Sequence, residues 1–143
     1  MSNRGYSMPE VMLSLLIISA VSMAALLPVS EITRQMQAEY LLNELQRDLH
    51  SMQLEAMKTG KEVSFRFYAS GQYRAVSEGE ILLDRRPIYP LAFEELSLKL
   101  NQVQFNPNGN VRHFGQLRVT AASKKYNLVF QIGRGRFYFL EIE

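Results

Sequence analysis

The chain has 143 residues, 47% of them apolar, and a net charge of +2. With its hydrophobic start set apart, that length leaves room for one modest domain, and so slight a charge selects no class of partner. There is no cysteine, which excludes a disulfide framework and any thiolate-held metal and leaves the redox compartment open.

From Val11 to Ser30 no residue is charged. A helix of that length covers about 30 Å, one hydrocarbon thickness. A secretory signal would need a shorter apolar run and a small-x-small cleavage site. Ser22-Met23-Ala24 can be forced into that role, but the run flows into a helical pattern with no turn-rich exit. A single-pass membrane helix is the better reading. Arg4 and the amino terminus lie on one side, and Glu31, Arg34 and Glu39 on the other, which slightly favours a cytoplasmic N-terminus.

The stretch RGYSMPEVMLSLLII resembles the class III signal of type IV prepilins and pseudopilins. In that family a short basic leader ends in glycine, an aromatic residue follows, and a glutamate stands fifth after the cut. The resemblance implies a leader over residues 1–5 and cleavage between Gly5 and Tyr6 by a prepilin peptidase on the cytoplasmic face. It further implies N-methylation of Tyr6. Tyr6 stands where the family usually has phenylalanine, and Pro9 where leucine is commoner.

Glu10 then has a physical reason to sit at the lip of an apolar helix. Cleavage creates an α-amine at Tyr6 beside lipid, and an ionised group in the apolar phase costs roughly 2.5–3.5 kcal/mol or more unless paired. Glu10 can neutralise that amine, in its own chain or in a neighbour's. The bland alternative is an acid in the headgroup zone that suits the helix dipole. Alongside Arg4, Gly5 and an aromatic ring, charge pairing during assembly is the preferred reading.

After Val29 the apolar residues Ile32, Met36, Leu42, Leu45, Leu49, Met52 and Ala56 recur at helical spacing, with Ala38 bridging the gap. Glu31, Arg34, Glu39, Glu44, Arg47, Asp48 and Glu55 make the solvated face. Gly60 is the expected stop, with Lys58 in the last turn. Pro28 interrupts the tract, so a kink is expected there, although it can equally mark the membrane exit. The methionines read as adaptable packing rather than ligands.

Beyond Gly60 the period becomes two. EVSFRFYA, QYRAV and EILLD read as strands, and RRPIYP as an edge or loop crossing. LSLKLNQVQF resumes strand character. NPNGN is a turn. GQLRVTA, YNLVFQI and RFYFLEI close the domain, the last pair joined through Gly133-Arg134-Gly135. An antiparallel sheet needs its apolar face covered, and the only long partner is the helix over 31–59. The expected fold is α+β: a long N-terminal helix, half membrane-embedded and half amphipathic, packed on a C-terminal antiparallel sheet in pilin-like fashion. Its parts are a leader over 1–5, a transmembrane or filament-core helix over 6–30, an amphipathic helix over 31–60 and a head over 61–143.

FNPNGNVRHFGQLRV followed by YNLVFQIGRGRFYF looks like the C-terminal half of the minor pilins of Firmicutes competence pseudopili, the ComGD type. In that type a phenylalanine-asparagine turn leads to a strand and a glycine-x-glycine-arginine hairpin closes the domain. The implied role is a structural subunit of the competence pseudopilus, drawn from the cytoplasmic membrane to the cell surface and serving DNA uptake. The implied partners are the major pseudopilin, other minor pilins, the prepilin peptidase and the assembly machinery. Rival readings are a type II secretion pseudopilin, a motility-pilus minor pilin, or an unprocessed membrane-anchored binding domain.

No catalytic grouping stands out. His50 and His113 are far apart, no metal set or phosphate loop emerges, and no cofactor or enzyme activity is expected. Residues 60–143 carry a net +4, and residues 31–59 a net −2. Arg112, Arg118, Lys124, Lys125, Arg134 and Arg136 crowd the C-terminal part among His113, Phe114, Tyr126 and Phe137. Such residues can contact phosphates and stack on bases, but alternating basic residues on strands more often make a wet face, and that reading is preferred over DNA contact.

Overall fold

The computed structural model describes residues 7–133 and 135–142, and of 24–31 it gives the backbone assignment alone. The chain divides into two compact units, Met1–Arg34 and Gln35–Glu143. The dividing point falls within one helical assignment, α1, Met8–Thr59. Eight strands follow: β1 Val63–Phe67, β2 Tyr73–Ser77, β3 Glu80–Arg85, β4 Leu91–Glu95, β5 Gln104–Phe105, β6 Gly115–Ala121, β7 Lys124–Phe130 and β8 Phe137–Ile142.

The first unit holds the start of α1. The Ser7 carbonyl accepts from the amides of Glu10 and Val11, which opens the helix. Pro9 falls in the first turn, where its missing N–H costs nothing. Gly5 and Tyr6 lie outside the described residues. So does the expectation of a kink, since of Pro28 only the helical assignment is described.

In the second unit α1 turns one stripe inward. Ala38, Leu41, Leu45, Leu49 and Ala56 are fully buried, with Leu42 and Met52 against them. The stripe differs from the expected one at its start: Met36 is exposed, and Leu41 takes a place in the core. Asp48, assigned to the solvated face, is buried too. Gly60 stops the helix with φ at +69°, its amide donating to the Ala56 carbonyl over 3.0 Å.

The head contains two four-stranded antiparallel sheets where one was expected, ordered β3-β2-β1-β5 and β4-β6-β7-β8. RRPIYP is the crossing between them, as the two prolines suggested. Alternation sends Val63, Phe65, Phe67, Tyr73 and Ala75 inward from the first sheet, and Phe93, Leu117, Val119, Leu128 and Phe130 from the second. The two inner faces meet through the Phe67 and Phe93 rings, whose centroids are 4.7 Å apart, and α1 completes the single core.

LSLKLNQV is not a strand. Three of its donors are taken locally: Leu100 N–H by Glu95 Oε1 at 3.0 Å, Lys99 N–H by Gln102 Oε1 at 3.1 Å, and Gln102 N–H by the Lys99 carbonyl at 3.0 Å, while the Leu98 N–H donates to the Gln116 carbonyl at 3.2 Å. Leu98 and Val103 still fill the core from that irregular backbone. The strand expected there is LAFEE, five residues earlier, which pairs with β6.

Candidate assembly interface

From Met8 to Met23 α1 presents apolar side chains on every side. Met8, Met12, Leu13, Leu15, Leu16, Ile17, Ile18, Val21 and Met23 are all exposed. A helix apolar all round asks for a lipid or protein environment. Its polar groups are turned inward: Ser14 Oγ donates to the Glu10 carbonyl at 2.8 Å, Ser19 to Leu16 at 2.9 Å and Ser22 to Ile18 at 2.8 Å. Hydroxyls satisfied by their own helix remove the cost of an apolar medium. Glu10 is the exception, an exposed carboxylate in the first turn. Among the described residues no helix is long and apolar enough to cross a membrane.

In the head, two polar nodes tie α1 to the sheets. At the first, Asp48 accepts from the Tyr73 hydroxyl at 2.7 Å and from Arg85 Nε and Nη2 at 2.9 and 3.2 Å. Burial first, and the hydrogen bond to Asp48 second, push the Tyr73 hydroxyl far above its ordinary pKa. At the second, Gln53 Nε2 donates to the carbonyls of Gly109 and Gly135 at 2.6 and 3.2 Å. NPNGN and the β7–β8 hairpin are thereby held together. Neither node was foreseen. The available signal was spacing: Asp48 lies three residues after Leu45 and four before Met52, in the middle of the buried stripe.

The basic residues do not form one patch. Arg112 pairs with Glu62 at 2.9 Å, Lys124 with Glu141 at 2.7 Å, and Arg118 lies 3.9 Å from Glu94. Arg118 and Lys125 point from the outer face of the second sheet, and Lys124, one residue along, from the other. Lys125 and Arg136 are exposed, with no ion pair among the described residues, and Arg134 lies outside them. His113 Nδ1–H donates to the Gln102 carbonyl at 3.1 Å, and the His50 ring rests on Phe137 with centroids 4.5 Å apart. Both histidines have structural neighbours. No group of three metal-ligating side chains occurs among the described residues.

A helix whose inner stripe closes an antiparallel head, following an apolar start with one carboxylate, defines a pilin-like subunit. The family model of type II transport protein GspH matches residues 41–135, two thirds of the chain, and the chain belongs to that pseudopilin family. No curated protein and no solved structure matches it. The matched span takes in α1 from Leu41 onward and strands β1 to β7, and leaves out β8 and the apolar stretch.

Proposed function

We propose that the protein is a minor pilin-like structural subunit of the competence pseudopilus. It is cut between Gly5 and Tyr6, methylated at Tyr6, and drawn from the cytoplasmic membrane into a filament that serves DNA uptake. One observation carries the reading: Glu10 stands exposed in the otherwise apolar helical run from Met8 to Met23, whose three serines are already satisfied. A carboxylate so placed gains most from a cation in an apolar contact, and the new α-amine of a processed subunit is such a cation. The partners are then the major pseudopilin, other minor pilins, the prepilin peptidase and the assembly machinery. DNA contact, if made by the head, falls to Lys125 and Arg136, since Arg112, Arg118 and Lys124 have acidic neighbours.

The family description favours a second reading, a pseudopilin of type II secretion. Deletion of the gene separates the two. Loss of DNA uptake with protein secretion intact supports the competence role. Loss of secretion with uptake intact supports the other. N-terminal mass analysis of the native protein tests both, because a chain still carrying residues 1–5 is an unprocessed anchor.

A further inference from the structure

The two sheets have four edge strands, β3, β5, β4 and β8, and three are blunted by recognisable means. The pairing of β2 with β3 slips between Ala75 and Val76, and β3 exposes Glu80, Asp84 and Arg85. β5 has two residues, and its edge is met by Val111 and by the Arg112 amide. β4 follows Pro90 and ends in Glu94 and Glu95. Such short lengths, bulges, charges and prolines keep an edge from pairing with another chain.

β8 has neither bulge nor proline. Phe137–Ile142 pairs with β7 along its whole length without a bulge, and carries one charge, Glu141. The Gln131 amide donates to the Arg136 carbonyl at 2.9 Å, and that bond sets the phase of the ladder. Tyr138, Leu140 and Ile142 turn their backbone groups to β7, while Phe137, Phe139 and Glu141 turn theirs to the open side. Among the described residues none of those open groups has a hydrogen-bond partner. Beside them, on the outer face, Tyr138 and Leu140 are 40% and 49% exposed.

We propose that β8 is a docking edge for β8 of a second copy of this chain, the two strands pairing antiparallel to join two four-stranded sheets into one. The occupant follows from self-complementarity. The phase allows a two-fold centre at Phe139 or at Leu140. With the first, Tyr138 lies opposite the second copy's Leu140 and Glu141 opposite Phe137. With the second, Leu140 meets Leu140, and Glu141 faces Phe139. In neither does a charge face a like charge, and in both the exposed apolar side chains cover one another. Pairing through β8 depends neither on Glu10 nor on the proposed machine.

The absence of cysteine makes the test direct. Full-length chains bearing Tyr138→Cys and Leu140→Cys are co-expressed in native membranes and oxidised, with Ile81→Cys, exposed on the blunted edge β3, as the control. Non-hydrogen-bonded partners have Cα atoms about 4.5 Å apart, within disulfide reach. The expected result is a several-fold excess of homodimer over the control. It arises from the Tyr138→Cys and Leu140→Cys mixture for a centre at Phe139, or from Leu140→Cys alone for a centre at Leu140. The excess persists in a Glu10→Ala background, so failure of filament assembly and failure of edge pairing are told apart. Unchanged thermal unfolding of each variant certifies the fold. Homodimer no greater than with Ile81→Cys, or adducts with a different envelope protein in its place, overturns the proposal.

Discussion

The Tyr73 hydroxyl donates to Asp48 over 2.7 Å, joining β2 to the middle of the helix stripe that closes the core. Tyr73 is 1% exposed and Asp48 7%. The bond therefore lies where removing one partner leaves the other without water. Arg85, with a side chain 44% exposed, supplies charge from the rim. Asp48→Ala is expected to lower stability by about 1–3 kcal/mol, the usual cost of an orphaned buried donor. Arg85→Ala is expected to cost under about 1 kcal/mol, because solvent screens the exposed partner. Urea unfolding of the detergent-solubilised protein checks both, and equal losses would contradict the ranking.

Alkaline pH should weaken the same node. Tyr73 holds its proton above its ordinary pKa, from burial and the Asp48 bond. An unfolded chain releases that proton above about pH 10, whereas the folded chain keeps it. The contribution is whole below that pH and is lost as pH rises, by up to about 1.4 kcal/mol per pH unit. Tyr73→Phe removes this slope, although it also forfeits the hydrogen bond at neutral pH. Denaturation midpoints measured from pH 8 to pH 11 should fall more steeply for the wild type than for Tyr73→Phe.

These nodes mark where sequence reading ran out. Local signals were legible: Gly60 at +69° ends the helix as a glycine stop should, and Gly115–Ala121 is the strand read from GQLRVTA. Partnership was not. Leu96, Leu98 and Leu100 alternate as a strand would, yet the side chains of Glu95 and Gln102 capture the backbone donors. LAFEE has only three apolar residues but finds β6 beside it. One sheet became two because strand order depends on pairings remote in sequence, which periodicity does not report. Asp48 was misassigned for a related reason. A charge usually marks a wet face, and here a hydroxyl and a guanidinium from strands at least 25 residues away in sequence satisfy it.

Glycines on the β7–β8 hairpin should separate by what surrounds them. Both have positive φ, +77° at Gly133 and +58° at Gly135. A Cβ at Gly133 meets nothing within 4 Å, while one at Gly135 would overlap the Gly109 carbonyl oxygen and Gln53 Nε2. Gly133→Ala is expected to cost about 1 kcal/mol, the backbone strain alone. Gly135→Ala must also open the Gln53 node and part the two turns, and is expected to cost at least about 2 kcal/mol. Comparable unfolding midpoints for the two variants would show that the turns do not depend on that contact.

Assembly should respond to Glu10 more sharply than insertion does. Removing a carboxylate from an apolar helix lowers the cost of placing it in lipid, so Glu10→Ala is expected to enter membranes at wild-type levels. On the proposed charge pairing the same change deletes the acceptor for a neighbour's amine, and the variant should be depleted from sheared surface fractions. The proposed processing would set a second, steric requirement upstream. Gly5→Ala should retain most cleavage and Gly5→Leu little, since the peptidase must fit the residue before the scissile bond. Intact mass separates leader-bearing from cleaved chains. A cleaved Glu10→Ala chain recovered in surface fractions at wild-type amounts would mean that the carboxylate has no part in assembly, and the charge-pairing account would fail with it.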